Sequence, residues 1–295
     1  MALLPFILPF IPLFLEYDMV GHLSKASQTS HLLCLSRIPN SQYANLYQAL
    51  CCGAAIPQSS PIMLLFRHLG LVHLLVVSGL HLVLIEKAIV LALGWAGPVS
   101  KKSYLFLLPF VFICRFQPPV VRAFLQVCVG KLNSGFHLFW SRSLLTLISG
   151  VLSVVLFPQW LISLSFQLSF GASLIACLPI SNWKKAIAFY IGMYPFLATL
   201  GAAHPFSLLV NIALTLITAV PLLAISWTIW FFPPLESPLS RLTGVILSIL
   251  DQVAQWIPLP LQPVRIQLNH WSWAWLLFLF GVCFAWEIVR LRRSV

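Results

Sequence analysis

Charge is scarce in this chain, and acidic charge most of all: 8% of its 295 residues are Asp, Glu, Lys or Arg, and only 6 are acidic. Globular domains carry about 25% charged residues, so a water-facing surface of this size has too few polar groups to cover it. Low-complexity tracts, long linkers and internal repeats are missing too, which excludes disordered and solenoid architectures. The patterns of common catalysis are equally absent: there is no HExxH, GxSxG, GxxxxGK[ST] or GxGxxG. The seven Cys are odd in number and form no CxxC, which excludes a disulfide scaffold; they read as thiols within apolar runs.

What is abundant is apolar and aromatic. Hydrophobic residues make up 60% of the chain, with 22 Phe and 11 Trp, and the mean hydropathy is +0.96. Crossing a hydrocarbon core ~30 Å thick takes about 20 such residues. Runs that approach this length lie at 73–95, 144–157, 160–178, 186–203, 206–232 and 271–289. Two shorter runs, 104–114 and 120–130, flank RFQPP at 115–119 and read as short tilted helices or a re-entrant pair. The first fifteen residues carry Pro5, Pro9 and Pro12 and no basic start, so no cleavable signal peptide is expected.

The net charge of +11 is spread in ones and twos between the runs, as in cytoplasmic loops of a membrane protein. Lys101 with Lys102, Lys131 with Arg142, Lys184 with Lys185, and Arg290, Arg292 and Arg293 form four clusters. Placing all four inside leaves 233–270 on the outer side. There, the apolar positions 239, 242, 246, 249, 250, 253, 256 and 257 repeat at helical spacing. Arg241, Thr243, Asp251, Gln252 and Gln255 take the other face, which predicts a helix lying in the interface or packed on the bundle.

Polar residues inside apolar runs carry the functional prior, because lipid exposes them at a cost. The densest set is HLLVVSGLH, 73–81. On one continuous helix, at 100° per residue, His73, Ser78 and His81 share a side, with Gly79 beside them. Such a Gly either admits a second backbone closely or lets the helix break where freed groups line water. Interhelical hydrogen bonding by the same residues is the alternative reading. Glu86 and Lys87 follow in the same run, which makes a wholly lipid-facing helix improbable.

FRHLGLVHLLVVSGLHLVLI, 66–85, resembles the signature of the ComEC competence family, in which the corresponding helix reads HLLAVSGLH. Further blocks resemble that family in order: QALCCGAAIPQSSPIMLLF at 48–66, PPVVRAFLQV at 118–127, FPQWLISLSFQLSFGASL at 157–174 and FSLLVNIALTLITAVPLL at 206–223. The resemblance implies an all-α, polytopic membrane protein of the bacterial cytoplasmic membrane, with about 8–10 spanning or half-spanning segments. It divides the chain into an N-terminal apolar segment and polar loop (1–42), a competence-type membrane domain (43–270) and a terminal helix with a basic tail (271–295). It also implies passage of single-stranded DNA through a channel rather than catalysis, with no cofactor or metal. A separate DNA receptor, nuclease and cytosolic motor are then expected as partners, beside the lipid bilayer, and a homodimer is compatible with it. Family members usually add a β-barrel domain and a metallo-β-lactamase-like domain; no HxHxDH pattern is present here.

Carried over, the resemblance points to His73, Ser78, Gly79, His81, Arg122, Phe166, Gln167, Ser169, Asn211 and Pro221 as residues that line or shape the path. Arg122 is the best phosphate contact, Gln167 and Asn211 donate hydrogen bonds without trapping charge, and Phe136, Trp160 and Phe166 could stack on bases. Two other functions remain open at this stage. One is transport of a smaller or lipid-like substrate on the same scaffold, with an inactive remnant as its limit. The other is an intramembrane hydrolase using Ser78 and His81, whose spacing on one helix is poor for a nucleophile and its base.

Overall fold

The computed structural model describes residues 19–77, 79–93, 104–198, 205–257 and 271–293, and every regular element among them is helical. In chain order the α-helices are α1 (Met19–Ser36), α2 (Ala44–Cys52), α3 (Pro61–His68), α4 (Val72–Leu75), α5 (Gly79–Leu93), α6 (Leu108–Ile113), α7 (Pro118–Gly135), α8 (Arg142–Leu156), α9 (Leu164–Ala176), α10 (Asn182–Ala198), α11 (Pro205–Phe231), α12 (Glu236–Gln255) and α13 (Trp271–Arg293). Short 3-10 turns at Pro158–Ile162 and Pro233–Leu235 precede α9 and α12. The all-α expectation holds.

The continuous spans expected at 73–95 and 160–178 are corrected. After the single turn of α4 the backbone is extended at Val76 (φ −95°, ψ 129°), and α5 starts afresh at Gly79. His73 and His81 therefore sit on different elements and not on one helical face. Similarly, Ser163 is extended (φ −76°, ψ 119°) between the 3-10 turn and α9. Among the described residues no helix is long and apolar enough to cross a membrane. The 15 residues of α5 and of α8 and the 13 of α9 reach only roughly 20 Å at 1.5 Å per residue. Pro195 interrupts the hydrogen-bond ladder of α10 and Pro221 that of α11.

Local chemistry explains the breaks. Ser60 caps α3 by accepting from the Met63 amide at 3.1 Å with Pro61 following, and Ser141 caps α8 by accepting from Leu144 at 3.0 Å. Gly53 closes α2 in the left-handed region (φ 72°), where its amide and the next donate to Ala49 and Gln48 carbonyls. The RFQPP run is a tight reversal: Arg115 and Phe116 both have φ near +50° (53° and 52°), and Gln117–Pro118 then opens α7.

Three core clusters organise the bundle, of which two are the largest. One joins α5 through α10 with α13, around Leu82, Phe110, Phe166, Phe170, Leu174 and Phe196. The other joins α2, α3, α4, α11 and α12, around Leu46, Phe66, Leu69, Leu71 and Leu250. Trp227 of α11 packs against both. The expected amphipathic helix is α12, with one correction to its faces. Thr243, assigned to the polar side, is buried with Leu247, Leu250 and Ala254, whereas Leu242, Ile249 and Trp256 are exposed. The reason is a partner 196 residues away in sequence: the Tyr47 hydroxyl donates to Thr243 Oγ1 at 2.9 Å. Burial pushes the Tyr47 phenol up to about 12, so it remains a donor at any physiological pH.

The cysteine expectation is also corrected. Cys34 and Cys52 are joined in a disulfide that ties α1 to α2, while Cys51, Cys114, Cys128, Cys177 and Cys283 are free.

Helices α8 and α9 of the first core meet closely at Gly150. A methyl group added to Gly150 would overlap the ring of Phe170, which is itself 5% exposed. Gly150→Ala is expected to cost about 1–3 kcal/mol through overpacking. The protein's accumulation in cells should fall, and a second change, Phe170→Leu, should restore it. Wild-type accumulation of Gly150→Ala alone would show that this contact yields freely.

Candidate functional site

Arg122 lies one turn into α7 and is only 4% exposed. Its guanidinium is held at two points. Nε donates to Ser169 Oγ of α9 at 3.0 Å, and Nη1 donates to Gln126 Oε1, one turn further along α7, at 2.9 Å. Gln126 passes the connection on, donating from Nε2 to Thr146 Oγ1 of α8 at 3.0 Å. Ser149 and Ser153 continue the polar row along the buried face of α8, each bonding a carbonyl of the preceding turn. Three helices thus meet along a seam of neutral hydroxyls and amides around one cation. Among the described residues no carboxylate is paired with Arg122. An uncompensated buried charge costs several kcal/mol, so this arrangement is out of keeping with packing alone.

Gly79 brings a fourth helix to the same point. A methyl group there would stand 3.3 Å from Arg122 Nη2 and 3.2 Å from Ala123 Cβ. The first residue of α5 therefore lies close against the guanidinium, and any side chain there would make the neighbours give by a few tenths of an ångström. His81, buried to 3% exposure, follows two residues later. Farther along the same pair of helices, Lys131 of α7 reaches Glu86 of α5 at 3.4 Å, beside a crevice of 280 Å³ lined also by Val127, Gly130 and Ser134. The matching offsets, 79 with 122 and 86 with 131, mean that α5 and α7 run parallel.

The other residues singled out from sequence are placed as follows. Phe166 and Gln167 are both buried at the start of α9. Gln167 donates to the Leu161 carbonyl at 2.7 Å, while its Oε1 has no partner among the described residues. Trp160 stacks on Phe157 with ring centroids 4.1 Å apart and packs toward Phe166, so both Trp160 and Phe166 are core residues. Phe136, at the end of α7, is 70% exposed. His73 is exposed, and its Nδ1 lies 3.3 Å from the Gly70 carbonyl. Pro221 is half-buried in α11, which packs chiefly on α2 and α12. Ser78 lies outside the described residues, and so does the side chain of Asn211, whose backbone belongs to α11.

Gln126 and Thr146 escaped the sequence reading. Gln126 carried a signal, since it stands four residues after Arg122 on a helix; Thr146 carried none. The structure also shows how the start of α7 is fixed. Gln117 Nε2 donates to the Gly53 carbonyl at 2.6 Å, Ser27 donates to the Phe112 carbonyl at 2.9 Å, and His31 Nδ1 sits 2.9 Å from the Ile113 carbonyl and 3.1 Å from that of Cys52. The disulfide-linked α1 and α2 therefore clamp the turn from which Arg122 is projected.

The model of the family described as Competence protein matches residues 50–293, from the end of α2 to the end of α13. The chain belongs to the competence protein family. A protein of Aquifex aeolicus (strain VF5), described only as uncharacterized, is 31% identical over 218 residues, which cover 68% of this chain and 51% of that protein. The chain thus spans about half the length of this relative. No solved structure matches the chain. The competence-family match takes in the whole Arg122 seam and leaves out α1, Cys34 and Arg37.

Proposed function

We propose that this chain is the membrane core of a DNA-uptake protein that passes single-stranded DNA across a bacterial cytoplasmic membrane. The observation that carries the reading is the buried Arg122 guanidinium, held by neutral partners in an apolar bundle. A phosphate is the counter-charge that such a cation lacks, and a strand supplies one at every nucleotide. Neutral donors and acceptors along the seam replace water without trapping the strand, as conduction demands. Family membership supports the same cargo. We assign no chemistry to these residues: strand hydrolysis and the driving force are taken to come from nuclease and motor components outside them.

Membrane residence is part of this proposal. Large apolar side chains cover the outside of the helices, among them Leu91 (80% exposed), Ile162 (75%) and Trp256 (87%), a surface that water disfavours and lipid does not. Short and interrupted helices suit half-spans around a hydrated interior, where broken backbone is tolerated. Two observations support one orientation. Disulfides persist in oxidising compartments, which supports an outer-side position for Cys34–Cys52 and the clamped turn at 114–117. Lys131 lies 13 residues into α7 from Pro118, roughly 20 Å deeper, in keeping with the basic end facing the cytoplasm.

The test is natural transformation of the native host, comparing the intact gene with its deletion. The deletion is expected to bind labelled DNA at the surface but to leave none internalised, and the intact gene should restore uptake. Undiminished transformation of a competent deletion strain would overturn the reading.

A further inference from the structure

A cleft of 490 Å³ opens between α1, α6 and the last turn of α11, and shares no lining residue with the Arg122 seam. Leu33, Pro109, Phe112, Ile113 and Phe231 form its apolar walls, and Ser30 and Arg37 supply polar groups. The Arg37 guanidinium carbon lies 5.2 Å from the centre of the Trp230 ring. Among the described residues no carboxylate is paired with Arg37, and the residue is exposed. The walls continue outward into an apolar surface: Leu32 is 56% exposed, Leu33 64%, Phe231 57% and Phe232 61%.

We propose that this cleft seats a phospholipid, with its phosphate on Arg37 and Ser30 and an acyl chain along Leu33, Phe112 and Phe231. The inference rests on the membrane reading above. Its argument is complementarity. A cation with no carboxylate partner among the described residues, beside an indole whose buried Nε1 has no hydrogen-bond partner among them either, above a mainly apolar wall, matches a molecule that is anionic at one end and hydrocarbon over the rest. The volume is that of a small-molecule site. A nucleotide matches less well, because the Trp230 Nε1 and the Ser30 hydroxyl are few groups to answer the several donors and acceptors of a base edge. Since Cys34 also lines the cleft, the disulfide to α2 fixes one wall of the lipid site.

The test uses the full chain, extracted from membranes, stripped of lipid in detergent and titrated with phosphatidylglycerol, with bound lipid counted by native mass spectrometry. The intact chain is expected to retain one tightly bound lipid. Arg37→Ala should weaken it roughly five-fold, the effect of removing one interfacial cation. Leu33→Glu, at an exposed wall position, should do at least as much, and Arg142→Ala, at an exposed residue far along the chain, should change nothing. Equal retention by Arg37→Ala and the intact chain overturns the lipid site while leaving the membrane reading intact. So does displacement of the lipid by a single-stranded oligonucleotide in an Arg37-dependent way. Recovery of the intact chain from the aqueous fraction instead of the membrane fraction defeats the membrane reading, and this inference with it.

Discussion

Arg122→Gln is expected to abolish most DNA uptake while the protein still accumulates in the membrane. Glutamine keeps an amide that can hydrogen-bond within the seam formed with Ser169 and Gln126, and it removes a charge whose burial costs several kcal/mol. Folding should therefore be preserved or improved. On the proposed reading, what disappears is the charge-assisted bond to a passing phosphate, about 1.5–3 kcal/mol, or roughly ten- to hundred-fold in transformation frequency per unit of protein. Arg122→Lys should fall between, because an ammonium keeps the charge but cannot span two partners as the guanidinium fork does. Arg122→Ala differs in kind. It leaves Ser169 and Gln126 without their partner and opens a void, so accumulation should fall together with uptake. The decisive readout is the ratio of transformation to membrane abundance measured by immunoblot. If Arg122→Gln transforms as the intact protein does, Arg122 is packing, and the conducting reading loses the observation that carries it.

The residues of that seam show where sequence reasoning reaches and where it stops. Helical geometry already separates Gln167 from Ser169: two positions on a helix are about 200° apart. Both could not face Arg122, and the structure turns Gln167 toward the Leu161 carbonyl. The link between Arg122 and Gln126 follows from the same geometry at four positions. The break before Gly79 does not. Hydropathy registers that 73–95 is apolar but is indifferent to whether its backbone hydrogen bonds run unbroken, and the extended Val76 leaves no mark in composition. Thr243 was misassigned for a related reason. Periodicity sorts side chains by polarity, whereas its burial is decided by the Tyr47 hydroxyl on another element. The overall helical class, the reversal at RFQPP and the existence of α12 were legible because each is written in a local pattern. Pairings between distant elements were not.

The Cys34–Cys52 disulfide is the clearest of these distant pairings, and its removal carries the other large expected effect. Cys34→Ser combined with Cys52→Ser releases a loop with a sequence separation of 18, which the chain-entropy model values at about 3 kcal/mol. That is a large part of the 5–15 kcal/mol by which a folded domain typically exceeds its unfolded state. The consequence should extend beyond α1. Ser27 and His31 of α1 and Gly53 at the end of α2 hold the carbonyls of 112–113 and the Gln117 amide, and α7 begins at the next residue. Loosening that clamp frees the start of α7, so Arg122 loses its fixed approach to Ser169. Uptake is therefore expected to fall further than accumulation does. A host unable to oxidise thiols outside the cytoplasm should reproduce both losses without any substitution. After mild reduction of intact cells, a membrane-impermeant maleimide should label Cys34, which lines the open cleft, whereas Cys51, Cys52 and Cys114 are fully buried. Labelling only after the membrane is opened would place the clamp on the cytoplasmic side, reverse the orientation of α7, and send the strand past Arg122 late in its passage instead of at its entry.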